Sequence, residues 1–87
     1  MLSIIEVDDF LRRLGSKEGC NFRVDKRGEN IWNCENDHKY AKAILKKMGV
    51  SKANVKKLLG IAKANGGHCD CEILFNAEDA LYDKATN

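Results

Sequence analysis

Apolar residues recur every three to four positions in three stretches of this chain. In the first, Val7, Phe10, Leu11 and Leu14 share one helical face. Ser3 and Glu6 precede them at the spacing of a capping box, and Gly15 follows, so the pattern predicts a helix over 4–14. In the second, Tyr40, Ala41, Ile44, Leu45 and Met48 line up between Asp37, a cap, and Gly49, a stop. In the third, Ser51 caps a helix with Val55, Leu58, Leu59 and Ala62 inward, and Asn65-Gly66-Gly67 ends it.

Other stretches alternate instead. CNFRV (20–24) and IWNC (31–34) flank the polar DKRGEN (25–30), which reads as a β-hairpin. A turn centred near Arg27 brings Cys20 and Cys34 together at the hairpin's open end. CDCEILF (69–75) also alternates, placing Cys69, Cys71, Ile73 and Phe75 on one strand face. Asn76 and Asp79 then open a short last helix carrying Ala80 and Leu81. The predicted order is αββααβα. The fold class is α+β, a small antiparallel sheet of hairpin plus C-terminal strand packed with three to four helices. Phe22, Trp32 and Phe75 fit a shared core under that sheet. No repeat or linker divides the chain, so residues 1–87 read as one domain.

Composition narrows the class. Hydrophobic residues make up 44%, charged residues 32%, and Pro is absent, which suits a folded chain and not a disordered one. No apolar run approaches the ~20 residues of a membrane helix. MLSIIEVDDFLRR has acids where a secretion signal needs bases, so the expected location is cytoplasmic, where thiols stay reduced. Four Cys in 87 residues then point to metal or redox chemistry. A chain this short buries a limited core, and a metal staple would compensate.

Thiolate ligands must converge on one point. Cys69 and Cys71 form a close pair, Cys34 lies just before a helix start that favours a thiolate, and the hairpin returns Cys20 to Cys34. The four fit one tetrahedral zinc site. His38, in the first turn of the second helix, is a substitute for Cys20. The simpler alternatives are a Cys20 packed as a small hydrophobe, a solvated His38 and a solvated His68. Strand parity would turn Asp70 and Glu72 away from the thiol face, into supporting or solvent positions.

These residues carry a resemblance. Cys34-Glu-Asn-Asp-His-Lys-Tyr-Ala, a helix, and then Gly66-Gly67-His68-Cys69-Asp70-Cys71-Glu72 resemble a small bacterial family of unknown function, over roughly residues 33–76. The resemblance implies that Cys34, Cys69 and Cys71 belong to one site, and it supplies no activity. Relatives carry His two residues after the first Cys, where this chain has Asn36, so the fourth ligand falls to Cys20 or His38. The hairpin lies outside this resemblance. Trp32-Asn33-Cys34 and the C-x-C before an apolar stretch are similar to pieces of the ferredoxin–thioredoxin reductase catalytic chain. That likeness implies an iron–sulfur cluster beside a redox disulfide, and the family needs six cysteines. Four thiols can ligate a cluster but leave no pair for disulfide reduction.

The net charge of +2 hides an asymmetry. Between His38 and Cys69 stand Lys39, Lys42, Lys46, Lys47, Lys52, Lys56, Lys57 and Lys63, with no acid among them. The rest holds the other 7 of 15 bases and all 13 acids, which is −6. A like-signed block on two consecutive helices is a footprint for phosphate or an acidic protein. KAILKKMGVSKANVKKLLGIA is similar to helix-turn-helix DNA-binding sequences, with Gly49 as the turn glycine and Leu45 larger than the residue usual there. That likeness implies phosphate contacts from Lys52, Lys56 and Lys57 and a base contact from Asn54.

No Ser/His/Asp order, phosphate loop or paired carboxylate demands catalysis. A zinc held by three thiolates with an open position would be a poor hydrolytic Lewis acid. The sequence therefore reads first as a zinc-stapled binding domain with a Lys-rich contact face. An iron–sulfur or thiol redox module is the second reading, and a metal-free helix-turn-helix-like DNA-binding domain the third.

Overall fold

Ser3 starts the first helix through a reciprocal cap in the computed structural model, which describes residues 1–86. Its hydroxyl accepts from the Glu6 N–H, and the Glu6 carboxylate accepts from the Ser3 N–H, both at 3.1 Å. Helix α1 (Ile4–Gly15) buries Val7, Phe10, Leu11 and Leu14, the stripe predicted from spacing.

The chain then doubles back tightly. The Cys20 N–H donates to the Leu14 carbonyl at 2.7 Å. That return passes so close that a Cβ on Gly19 would strike the Leu14 carbonyl oxygen, so only glycine fits. Strands β1 (Arg23–Val24) and β2 (Asn30–Ile31) form the expected antiparallel hairpin, with Arg23 opposite Ile31 and Val24 opposite Asn30. Asp25 organises the turn, its Oδ1 accepting from the Arg27 and Glu29 N–H groups. At the open end the Asn33 N–H donates to the Cys20 carbonyl at 2.6 Å. The backbones leading to Cys20 and Cys34 are adjacent, as the fold-back argument requires.

Helix α2 (Lys39–Lys47) buries Ala41, Ile44 and Leu45, and Gly49 follows it at φ +77°, a left-handed position that favours glycine. Ser51 caps α3 (Lys52–Ala64), accepting from the Asn54 N–H at 3.2 Å. Leu58, Leu59 and Ala62 are buried, and Val55 only partly.

The last third departs from expectation. Residues 69–75 are not a strand. Cys69 precedes a short helical turn, α4 (Asp70–Glu72), which passes into a π-helical segment (Ile73–Ala77) and then α5 (Glu78–Lys84). The observed order is therefore helix, hairpin and then helices only. The α+β class and the antiparallel hairpin hold, and the sheet has two strands, not three. Two physical reasons account for the difference. Ile73, Ala77 and Leu81 are each fully buried at four-residue spacing, a helical stripe that the local alternation masks. The hairpin ladder is only two pairs long, so its edge offers a third strand few hydrogen bonds.

The core gathers between α1, α2, α3 and the C-terminal helices. Helix α1 packs on α2 and α5, and α3 packs on α5 and the π segment. Phe22, Trp32 and Phe75 do form one cluster, with ring centroids 5.3–5.5 Å apart. It does not lie under a sheet. Trp32 is 41% and Phe75 56% exposed, because the helical turn at 73–77 carries Phe75 outward while Ile73 takes the buried position.

Candidate metal centre

Three thiols converge from two distant parts of the chain. Cys34 arrives on the loop after β2, and Cys69 and Cys71 flank the start of α4. The Sγ atoms lie 2.7 Å apart for Cys34–Cys71, 3.2 Å for Cys69–Cys71 and 3.4 Å for Cys34–Cys69. All four cysteines of the chain are free thiols. Cys69 and Cys71 are buried, and Cys34 is half-buried. A cluster of this kind can hold a metal ion. A tetrahedral zinc with Zn–S near about 2.3 Å would set sulfurs about 3.8 Å apart, so the three would open slightly around an ion.

Asp70, between the two clustered cysteines, holds this arrangement together. Its carboxylate accepts from the Tyr40 N–H at 2.9 Å and the Ala41 N–H at 3.0 Å. Those are orphan donors in the first turn of α2, so Asp70 caps that helix from 30 residues away. Its own N–H donates to the Asp37 carbonyl at 2.8 Å. The segment carrying Cys69 and Cys71 is thereby fastened to the segment that follows Cys34. Asp70 is fully buried, contrary to the orientation read from strand parity. Burial pushes its carboxyl upward, and the two backbone N–H groups oppose that shift.

Glu72 differs from expectation for the same reason. In a helical turn its Oε1 comes within 3.5 Å of Cys69 Sγ. His38 is buried, not solvated, and its Nε2 lies 2.8 Å from the Gly67 carbonyl. His68 is exposed. Cys20 is fully buried in the core and stands outside the group of three whose ligand atoms lie within 4.8 Å of one another.

The thiols sit in unequal environments. Burial raises Cys34, but its hydrogen bonds with Cys71, the Asn36 backbone and Cys69 outweigh it, and the net direction is down. Burial drives both Cys69 and Cys71 up, and the neighbouring thiols add to the rise at Cys71. Cys34, the most exposed of the three, is thus the thiol most readily ionised.

Of the residues read for nucleic acid, Lys52 and Lys56 border a cleft between α2 and α3. Lys57 is exposed and Asn54 half-buried.

Fold and site together define a small α+β fold with a cluster of three thiols. The family model described as "Protein of unknown function (DUF2695)" matches residues 22–76, well over half the chain. The chain belongs to that family, whose match begins before β1 and so includes the hairpin. No curated protein and no solved structure matches the chain. Among the described residues, no helix is long and apolar enough to cross a membrane.

Proposed function

We propose that this chain is a small zinc-binding domain in which Cys34, Cys69 and Cys71 hold the ion, and whose Lys-rich α2–α3 face contacts a macromolecular partner. The observation that carries the reading is the convergence of three unbridged thiols from segments some 35 residues apart in sequence. Soft thiolates at this density suit zinc. A cubane iron–sulfur cluster takes four thiolates, and Cys20 would have to leave the core to supply the fourth. The last zinc position falls to Glu72, whose Oε1 lies 3.5 Å from Cys69 Sγ, to Cys20 or His38 after a side-chain shift, or to water.

Metal analysis of protein purified without added zinc tests this. About one zinc per chain is the expected content, lost on replacing Cys34, Cys69 or Cys71 by Ser. Glu72→Gln, Cys20→Ser and His38→Ala then identify the fourth ligand. A metal-free sample whose stability ignores both chelator and added zinc overturns the reading. The 2.7 Å Cys34–Cys71 contact favours one second reading, a thiol redox module in which this pair oxidises to a disulfide. Oxidant would then remove two hydrogens from the chain, and Cys34→Ser would prevent it.

A further inference from the structure

Helices α2 and α3 spend their inner faces on other elements, α2 on α1 and α4, α3 on α5 and the π segment. Between them an open cleft of about 850 Å³ remains. Val50, Val55 and Leu59 form its apolar floor. Lys42 and Lys46 stand on the α2 wall, and Lys52, Lys56 and Lys63 on the α3 wall. Among the described residues none of these five lysines is ion-paired, and no acid lies between His38 and Cys69 to neutralise them.

Gly60 adds an independent observation. It lies inside α3 and borders the cleft, and a Cβ built on it would meet no atom within 4 Å. Glycine weakens a helix interior relative to alanine, and no packing within the chain needs the missing side chain. The missing side chain leaves that stretch of α3 open to close approach by another backbone.

We infer that the cleft receives an acidic amphipathic helix of a partner protein. The apolar floor takes the partner's apolar stripe, in the helix-in-groove mode. The lysine walls meet its flanking carboxylates, and Gly60 lets the two backbones approach. A nucleic acid would use the lysines but neither the floor nor the glycine. This inference rests on the reading of the Lys-rich face as a contact surface, and it specifies the chemistry of the partner.

The test uses the full chain and a labelled synthetic helix of about 18 residues, with Leu at i, i+4, i+7 and i+11 and Glu on both flanks. Fluorescence anisotropy is read at about 50 mM and about 200 mM salt, where charge contacts should weaken. Saturable, salt-sensitive binding is expected. An equally acidic peptide with Leu replaced by Ser should bind about tenfold more weakly. Gly60→Gln should weaken binding by about tenfold while the thermal midpoint does not fall, since glutamine is the better helix former. Lys46→Glu with Lys56→Glu should do the same by charge. Equal binding of the Leu and Ser peptides, or undiminished binding by Gly60→Gln, overturns the inference. A short DNA duplex that binds where the peptide does not also overturns it, and leaves the Lys-rich face standing as a contact surface. Failure of both probes removes the inference and that surface together.

Discussion

Replacing Asp70 by Ala should unfold this domain more readily than any substitution on its surface. The carboxylate is fully buried and satisfies two N–H groups of α2. Without it the buried Ala41 N–H and the part-buried Tyr40 N–H stay unpaired, at up to about 1–3 kcal/mol each. The carboxylate's own desolvation offsets part of that loss, which places the net cost in the lower half of the range, about 3 kcal/mol. A domain of this length has a total stability of about 4–13 kcal/mol, from about 0.05–0.15 per residue. The thermal midpoint should fall by about 12–24 °C, at about 4–8 °C per kcal/mol. Asp70→Asn keeps one carbonyl oxygen and should lose about half as much. The assay is urea and thermal unfolding followed by circular dichroism on chelator-treated protein, so that no ligand affects the comparison. An Asp70→Ala variant within about 0.5 kcal/mol of the parent, the scatter of surface substitutions, would refute the claim that Asp70 fastens α2 to the C-terminal turn.

Burial foremost, and then the Asp70 charge, pushes the Cys20 thiol from an ordinary 9.0 up to about 12. Between those values the folded chain keeps a proton that the unfolded chain releases. Stability should therefore be complete below pH 9 and fall as pH rises toward 12, by up to about 1.4 kcal/mol per pH unit. Urea midpoints at about pH 8 and about pH 10.5 should show this fall in the parent and less of it in Cys20→Ala, and equal falls would rule it out. Gly19→Ala should cost about 1–3 kcal/mol, because its Cβ would strike the Leu14 carbonyl. An unchanged denaturation midpoint would show that the α1–hairpin return yields without strain.

Structure is legible in the sequence where a signal is long and locally closed. Helix α1 has four apolar positions and both halves of a capping box within a dozen residues, and its boundaries are recovered to within one residue. Ser51 and Gly49 punctuate α2 and α3 by the same local chemistry. The hairpin places Cys20 beside Cys34 along the backbone, but side-chain direction depends on the tight return at Gly19, which periodicity does not encode. Residues 69–75 mislead because a seven-residue window accommodates period two as well as period four. Extending the window to Ala77 and Leu81 reveals the helical stripe. Asp70 and Glu72 follow from that misreading, since a strand and a helix send the same residues to opposite sides. The reach of Asp70 to Tyr40 and Ala41 had no local signal at all, because donor and acceptor are 30 positions apart. The grouping of Cys34 with Cys69 and Cys71 was legible from the thiol spacing and the Gly-Gly-x-Cys-Asp-Cys-Glu box.

The hydrogen bonds around Asp70 also bear on how an ion would be taken up. Cys34 and Cys71 are separated by 37 positions, and drawing the ends of such a loop together costs about 3 kcal/mol in chain entropy. In a zinc finger, where the apo chain is unfolded, metal binding has to supply that free energy. Here the Asp37–Asp70 and Asp70–α2 contacts close the same loop with oxygen and nitrogen alone. The loop is closed before any ligand bond forms. An arriving cation would meet thiols already gathered, and would have to displace their protons and part the sulfurs slightly, with no search of the chain for itself.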